Sequence, residues 1–269
     1  MTGNARTDIQ VDDWDRHWTD LSNANLLNPA QQYRHHLVLR ALNLDATQQA
    51  RVLDIGSGVG EFLRILHLAH PTHPMLGIEV SNKGIEIARR RVPQALFVQR
   101  DLIAGTEKPG AHQAFATHAV CSEVLEHVSD PVRLLKNVRP YLADGCRVVI
   151  TVPGGPRSRF DVHIGHRRHF TPAELHQLLT DAGFEVEMST GAGFPFFNLY
   201  RVLVFLRGKR LVDDATGEPS ILFKLASAIF RALFKLNLSR SSLGWQTFAV
   251  AHKPARFDTA ARVRPSVAQ

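Results

Sequence analysis

The sequence predicts an α/β fold, a doubly wound, mostly parallel seven-stranded sheet with an N-terminal covering helix and a helical insertion before the last strand. Two observations carry the class. Short apolar runs alternate with amphipathic segments between residues 51 and 153, as strands covered on both faces and their crossover helices require. Right-handed crossovers then wind the chain onto both sides of one sheet. The first run ends in Gly56-Ser57-Gly58-Val59-Gly60, a tight turn at the strand end where open sheets bind their ligands.

The elements follow in order. "NPAQQYRHHLVLRALNL" has helical spacing at Tyr33, Leu37, Leu39 and Leu42, and Pro29 suits a first turn. Strand "RVLDIG" comes next, then a helix to about His70, strand "MLGIEV", helix "NKGIEIARRR", and strands "ALFVQRD" and "HAVCSEV". Asp130-Pro131 starts a helix, "DPVRLLKNVRPYL", which leads into strand "CRVVITV". Thr171-Pro172-Ala173-Glu174 resembles a capping box, and Gly183 ends the helix it opens before strand "FEVEMST". The alternation then breaks. "FPFFNLYRVLVFLRGKR" and "SILFKLASAIFRALFKLNL" read as two apolar helices inserted ahead of a last strand, "WQTFAVAHK". The domain reading is a helical cover at 1–45, a core at 46–196, an inserted cap at 197–242, the final core strand at 243–253 and a disordered tail at 254–269. No internal repeat is visible.

Composition narrows the class. With 269 residues, 44% hydrophobic and 21% charged, the chain can bury a full core. Cys121 and Cys146 both sit inside apolar runs, which favours buried thiols in a reducing, cytoplasmic setting over a disulfide. The N-terminal residues lack the apolar core of a signal peptide, and no stretch is long and uncharged enough to span a bilayer. A net charge of +7 permits acidic partners without selecting one.

The glycine loop points to a nucleoside. Its spacing is G-x-G-x-G, whereas a dinucleotide loop reads G-x-G-x-x-G, so a nicotinamide cofactor is the weaker reading. Asp54 closes the first strand, Glu79 the second and Asp101 the third. An acid about twenty residues past the loop can accept from both ribose hydroxyls, and the third acid can reach an adenine amino group. The set suits an adenosine without phosphate, joined to a cationic amino-acid tail.

"VLDIGSGVGEF", "GIEVS", "QRDL" and "CSEVLEHVSDP" resemble, in order, the motifs of class I S-adenosylmethionine-dependent methyltransferases, in particular the branch with the ubiquinone-biosynthesis O-methyltransferases. The resemblance covers about residues 30 to 190 and returns at "GWQTFAVAHK", similar to the terminal antiparallel strand of that Rossmann-like fold. It implies S-adenosyl-L-methionine as cofactor. Gly56, Ser57, Gly58 and Gly60, with Asp54, would line its methionine part, Glu79 and Val80 the ribose, and Asp101 and Leu102 the adenine. Tyr33 and Arg34 are candidates for the cofactor carboxylate, the alternative for Tyr33 being a ring packed inward.

Methyl transfer to a hydroxyl also needs a base near the carboxyl edge of the sheet. "SRFDVHIGHRRHFTP" offers His163 and His166, the favoured candidates, beside Asp161, Arg167, Arg168 and His169. Glu123 and His127 join the catalytic candidates. If "EVLEH" is helical, Glu123, Glu126 and His127 share a face and, with a downstream histidine, could hold a divalent ion such as magnesium. Similar segments are metal ligands in some related O-methyltransferases, while in others the acid lines the cofactor pocket and the histidine orders the loop. The second reading is adopted, with no residue assigned to a metal.

The insertion speaks about the acceptor. Lys224, Ser227, Arg231 and Lys235 form one polar stripe, leaving a wide apolar face. A small apolar or lipid-like acceptor is expected, anionic if Arg157, Arg159, Arg167 and Arg168 face it, methylated at oxygen with carbon next. Peripheral membrane contact through residues 197–238 and a homodimer stay open. No nucleic-acid partner is expected. The alternatives are an RNA or protein methyltransferase, disfavoured because "CSEV" stands where amino-group methylation of bases uses N-P-P-Y, and an inactive cofactor-binding partner protein.

Overall fold

The computed structural model describes residues 14–21, 28–44, 49–105, 108–207 and 221–255. Its elements, in chain order, are α1 (Trp14–Leu21), α2 (Pro29–Leu42), β1 (Val52–Ile55), α3 (Glu61–Ala69), β2 (Met75–Glu79), α4 (Asn82–Arg91) and β3 (Leu96–Gln99). They continue with β4 (Ala116–Ser122), α5 (Pro131–Val138), β5 (Leu142–Pro153), α6 (Arg159–His163), α7 (Pro172–Asp181), β6 (Glu185–Ala192), α8 (Phe196–Arg207), α9 (Ile221–Phe234) and β7 (Gln246–His252). The seven strands form one sheet in the order β3-β2-β1-β4-β5-β7-β6, so the chain winds outward in both directions from β1. β1 to β5 pair in parallel, and β7 runs antiparallel between β5 and β6.

Alternation along each strand divides the core between the two faces. Leu53 and Ile55 of β1 point into a layer completed by Leu134, Leu135, Leu175 and Leu179 of α5 and α7. Val52 points the other way, among Leu37, Val38, Leu63, Leu66 and Ile85 of α2, α3 and α4. Cys121 and Cys146 are free, buried thiols as expected, and burial pushes the Cys146 thiol up to about 12. Among the described residues no helix is long and apolar enough to cross a membrane.

Four local readings need correction. The polar start contains α1, whose docking onto α4 rests on tertiary contacts that periodicity in eight residues cannot reveal. "EVLEH" is a turn and not a helix, because Glu123 takes a left-handed backbone (φ 57°) as β4 ends. Arg159–His163, read as loop, forms the short helix α6. On α9 the predicted polar stripe is split between surface and interior, Lys224 and Lys235 being exposed and Ser227 buried, and the apolar face is only partly covered, since Leu225 and Ile229 are exposed. The expectation for the tail falls on residues 256–269, outside the described residues, as do 208–220 of the insertion.

The capping box at α7 is present in full. Thr171 Oγ1 accepts from the Glu174 amide at 3.2 Å, and Glu174 Oε2 accepts from the Thr171 amide at 2.8 Å. Replacing Thr171 with alanine removes one of these bonds and is expected to cost about 1 kcal/mol in urea unfolding.

Candidate active site

The glycine loop leaves β1 with three left-handed residues, Gly56 (φ 71°), Gly58 (φ 52°) and Gly60 (φ 76°). Space demands glycine here as much as dihedrals do. A Cβ on Gly56 would lie 2.6 Å from Val124 Cγ2, and one on Gly58 would lie 2.6 Å from the Trp18 ring. The loop is tied to β2 through Glu79, whose Oε2 accepts from the Gly58 amide at 2.8 Å and whose Oε1 accepts from the Val80 and Ser81 amides at 3.0 and 2.9 Å. Burial raises the Glu79 carboxyl above its ordinary range, opposed by these three amides. Asp54, buried beneath the loop, is pushed up to about 7 by burial first and then by the charge of Glu79.

The other expected cofactor residues lie along the same edge. Val80 follows β2 with an exposed side chain. Asp101 uses Oδ1 to accept from the Ile103 and Ala104 amides, shaping the turn that holds Leu102. The Leu102 carbonyl is fixed by Asn137 Nδ2 at 2.7 Å. Glu123 Oε1 accepts from Gln246 of β7 at 2.9 Å, and its Oε2 lies 3.6 Å from Arg34 Nε on α2. Tyr33 does not join Arg34. Its ring packs against Phe197 and Phe234, the inward alternative, because α8 and α9 offer it an aromatic cluster.

A second cluster stands where the turn after β4 meets the segment after β5. Glu126 is fully buried, and among the described residues neither of its oxygens accepts a hydrogen bond. His127 Nε2 and His166 Nε2 approach Glu126 Oε1 at 3.8 and 4.0 Å. Burial pushes Glu126 well above the ordinary carboxyl range, helped by the charge of Glu123, and pushes His166 down to about 2. His166 Nδ1 lies 3.3 Å from His169 Nε2 and 3.8 Å from Asp161 Oδ1, and Arg201 of α8 holds that Asp161 at 3.1 Å.

Of the two favoured histidines, the structure brings in His166 and leaves His163 exposed at the end of α6. The metal-ligand set of the helical alternative changes as well: Glu126, His127 and His166 present ligand atoms within 4.8 Å of one another, and Glu123 is turned away to Gln246 and Arg34. A fully buried carboxyl with both oxygens unengaged, facing two imidazoles, fits a divalent ion. Three of the four expected anion-binding arginines serve the backbone: Arg157 donates to the Arg167 carbonyl, Arg167 to the His127 carbonyl at 2.6 Å, and Arg168 to the Ser129 carbonyl at 3.0 Å, while Arg159 is exposed on α6.

Sequence reasoning missed Arg201, Trp14 and Trp18. Trp18 packs over Gly58 and Gly84, while Trp14 meets the His127 ring edge-on at 5.0 Å. One helix, α1, therefore touches both the glycine loop and the histidine cluster. Asp15 fixes it there, accepting from Ser81 Oγ at 2.5 Å and from the Lys83 amide at 3.1 Å.

Comparison with known proteins agrees with this geometry. A family described as a methyltransferase domain matches residues 28–189. A ubiquinone biosynthesis O-methyltransferase of Thiobacillus denitrificans is 27% identical over 173 residues, covering 56% of this chain and 72% of that protein. Among solved structures, a putative sarcosine dimethylglycine methyltransferase from Galdieria sulphuraria superposes with TM-score 0.60 at 11% identity, covering 90% of this chain and 99% of that one. The geranyl diphosphate C-methyltransferase of Streptomyces coelicolor, solved with Mg2+, geranyl diphosphate and S-adenosyl-L-homocysteine, gives 0.53 at 13% identity, covering 83% and 78%.

Asp54 supplies a test of the buried edge. Its folded pKa of about 7 exceeds the ordinary 3.8, so between those values the folded chain holds a proton that the unfolded chain releases. Its contribution is complete below pH 3.8 and is lost as pH rises through about 7. Relative to Asp54→Asn, wild type should lose about 1.4 kcal/mol of stability per pH unit across that window, read from paired denaturation curves.

Proposed function

The chain belongs to the methyltransferase-domain family and is an S-adenosylmethionine-dependent methyltransferase, and from that premise we propose that it methylates a small apolar acceptor at oxygen, carbon being second. The observation that carries the reading is the Glu126-His127-His166 cluster, held beside the glycine loop by a single helix. The cofactor, when bound, supplies an electrophilic methyl group for in-line displacement. The chain's own work is to align the two reactants and take up the hydroxyl proton.

In this reading the glycine loop holds the methionine part, Glu79 the ribose, Asp101 the adenine rim, and Arg34 the carboxylate. His166 Nε2 is the proton acceptor. Its burial keeps the imidazole neutral by lowering its proton affinity, and Asp161, 3.8 Å away, would offset the charge it gains as the proton moves. Arg201 of α8 positions Asp161. If a divalent ion is bound, Glu126, His127 and His166 would hold it, and it would acidify a nearby hydroxyl.

The O-methyltransferase relative and the prenyl diphosphate acceptor of the Streptomyces structure support an apolar acceptor. The backbone-bound arginines weigh against an anionic one at this site.

His166→Ala should leave S-adenosylhomocysteine affinity unchanged and reduce turnover of an alkylated phenol about 100-fold or more. A fully active variant would move the base elsewhere. Glu79→Ala should weaken S-adenosylhomocysteine binding by about 1–3 kcal/mol in calorimetry. Activity that falls on chelation and returns with magnesium would assign His166 to the metal.

A further inference from the structure

A cavity of about 880 Å3 lies on the other side of α2, between that helix, α9 and the β7 face of the sheet. Apart from Tyr33, none of the residues assigned above to the cofactor or the histidine cluster lines it. Its floor is apolar: Leu37 of α2, Met188 of β6, Phe248 and Val250 of β7, and Phe234 of α9. Its rim carries Arg40, Arg147, Arg231, Lys235 and Arg240, and among the described residues no aspartate or glutamate lines it. Arg147 is neutralised by Glu187 at 2.6 Å. Among the described residues no carboxylate pairs with Arg40, Arg231, Lys235 or Arg240.

Two hydrogen-bonding groups in the lining are also without partners. The Tyr33 hydroxyl is buried and unengaged among the described residues, and so is Asn237 Nδ2, although Asn237 Oδ1 accepts from the Phe196 amide at 2.9 Å. A buried donor left unpaired costs free energy that a ligand oxygen would recover. Four cations and two donors without partners among the described residues, over an apolar floor, define the complement of one kind of molecule.

We propose that this cavity binds an amphiphile whose alkyl or prenyl chain lies on the Leu37, Phe234, Phe248 and Val250 floor and whose anionic phosphate or carboxylate head meets Arg40, Arg231 and Arg240. It is a second site, distinct from the one that holds the cofactor, and its case does not rest on the acceptor reading. Leu225 and Ile229, each within one helical turn of the lining residue Ala228 on α9, are exposed. The ligand can come from solution or from an anionic bilayer.

The test is calorimetric titration of the whole protein with dodecyl phosphate below its micelle concentration, with and without S-adenosylhomocysteine. Saturable binding is expected in both cases, weakening as salt screens the rim. Arg231→Gln combined with Arg240→Gln should weaken it about tenfold. Ala232→Trp, at an exposed lining position, should abolish it by filling the floor while leaving S-adenosylhomocysteine affinity unchanged. Retention on phosphatidylglycerol vesicles but not phosphatidylcholine vesicles, lost in the same variants, would uphold the site with a bilayer source. Failure to bind vesicles, with dodecyl phosphate still binding, would uphold it with a soluble source. Absence of dodecyl phosphate binding, indifference to both variants, or equal affinity for inorganic phosphate would overturn the proposal. So would a dimer in sedimentation that Ala232→Trp dissociates, since the occupant would then be a second copy.

Discussion

The carboxylate of Glu79 is the tie on which the carboxyl edge depends. It gathers the amides of Gly58, Val80 and Ser81 and so fixes the glycine loop of β1 against the end of β2. Ser81 then caps α4, its Oγ accepting from the Gly84 amide at 2.9 Å while donating to Asp15 of α1. A single buried acid thus sets the loop, the helix that follows β2, and the helix that covers both. The arrangement costs desolvation, visible in the upward displacement of both Glu79 and Asp54. Three backbone donors offset part of it, and a cofactor cation would offset more.

The histidine cluster solves the opposite problem. Where the glycine edge holds a carboxylate against amides, Glu126 faces the ring of His127 and the His166 imidazole, which burial has stripped of charge. Neutral groups in a dry pocket tolerate one another. In the proposed function this is where a proton or a divalent ion would be taken up, and α1 lies against the cluster through Trp14.

Much of this was legible in the chain itself, and the reason is burial. The central strands, covered on both faces, write apolar runs, the half-exposed edge strands β3 and β6 still carry β-forming residues, and the loop at Gly56, Gly58 and Gly60 announced itself because no other residue fits its dihedrals and its neighbours. What escaped was set by single torsions and distant partners. The left-handed backbone at Glu123 turns that side chain from His127 toward Gln246, about 120 residues on, which no local pattern encodes. Helix α1 is held by Asp15 and Trp18 against groups more than forty positions away, and Arg201 acts through Asp161. The histidines were recognisable as a group by composition; choosing His166 over His163 required knowing which one α6 turns inward.

The feet of the insertion between β6 and β7 stand side by side. Gly193 donates to the Leu238 carbonyl at 2.9 Å, Leu238 donates back to Phe194 at 2.8 Å, and Ser241 donates to Gly191 at 2.8 Å. Gly191 and Gly244 lack Cβ atoms that would otherwise keep these strands of chain apart. An excursion closed at its own base is a cassette: its length and chemistry can change at a loop-closure cost that grows only logarithmically, without disturbing the register of β6 on β7. The helices α8 and α9 can therefore change in length and sequence while the sheet beneath them keeps its pairing.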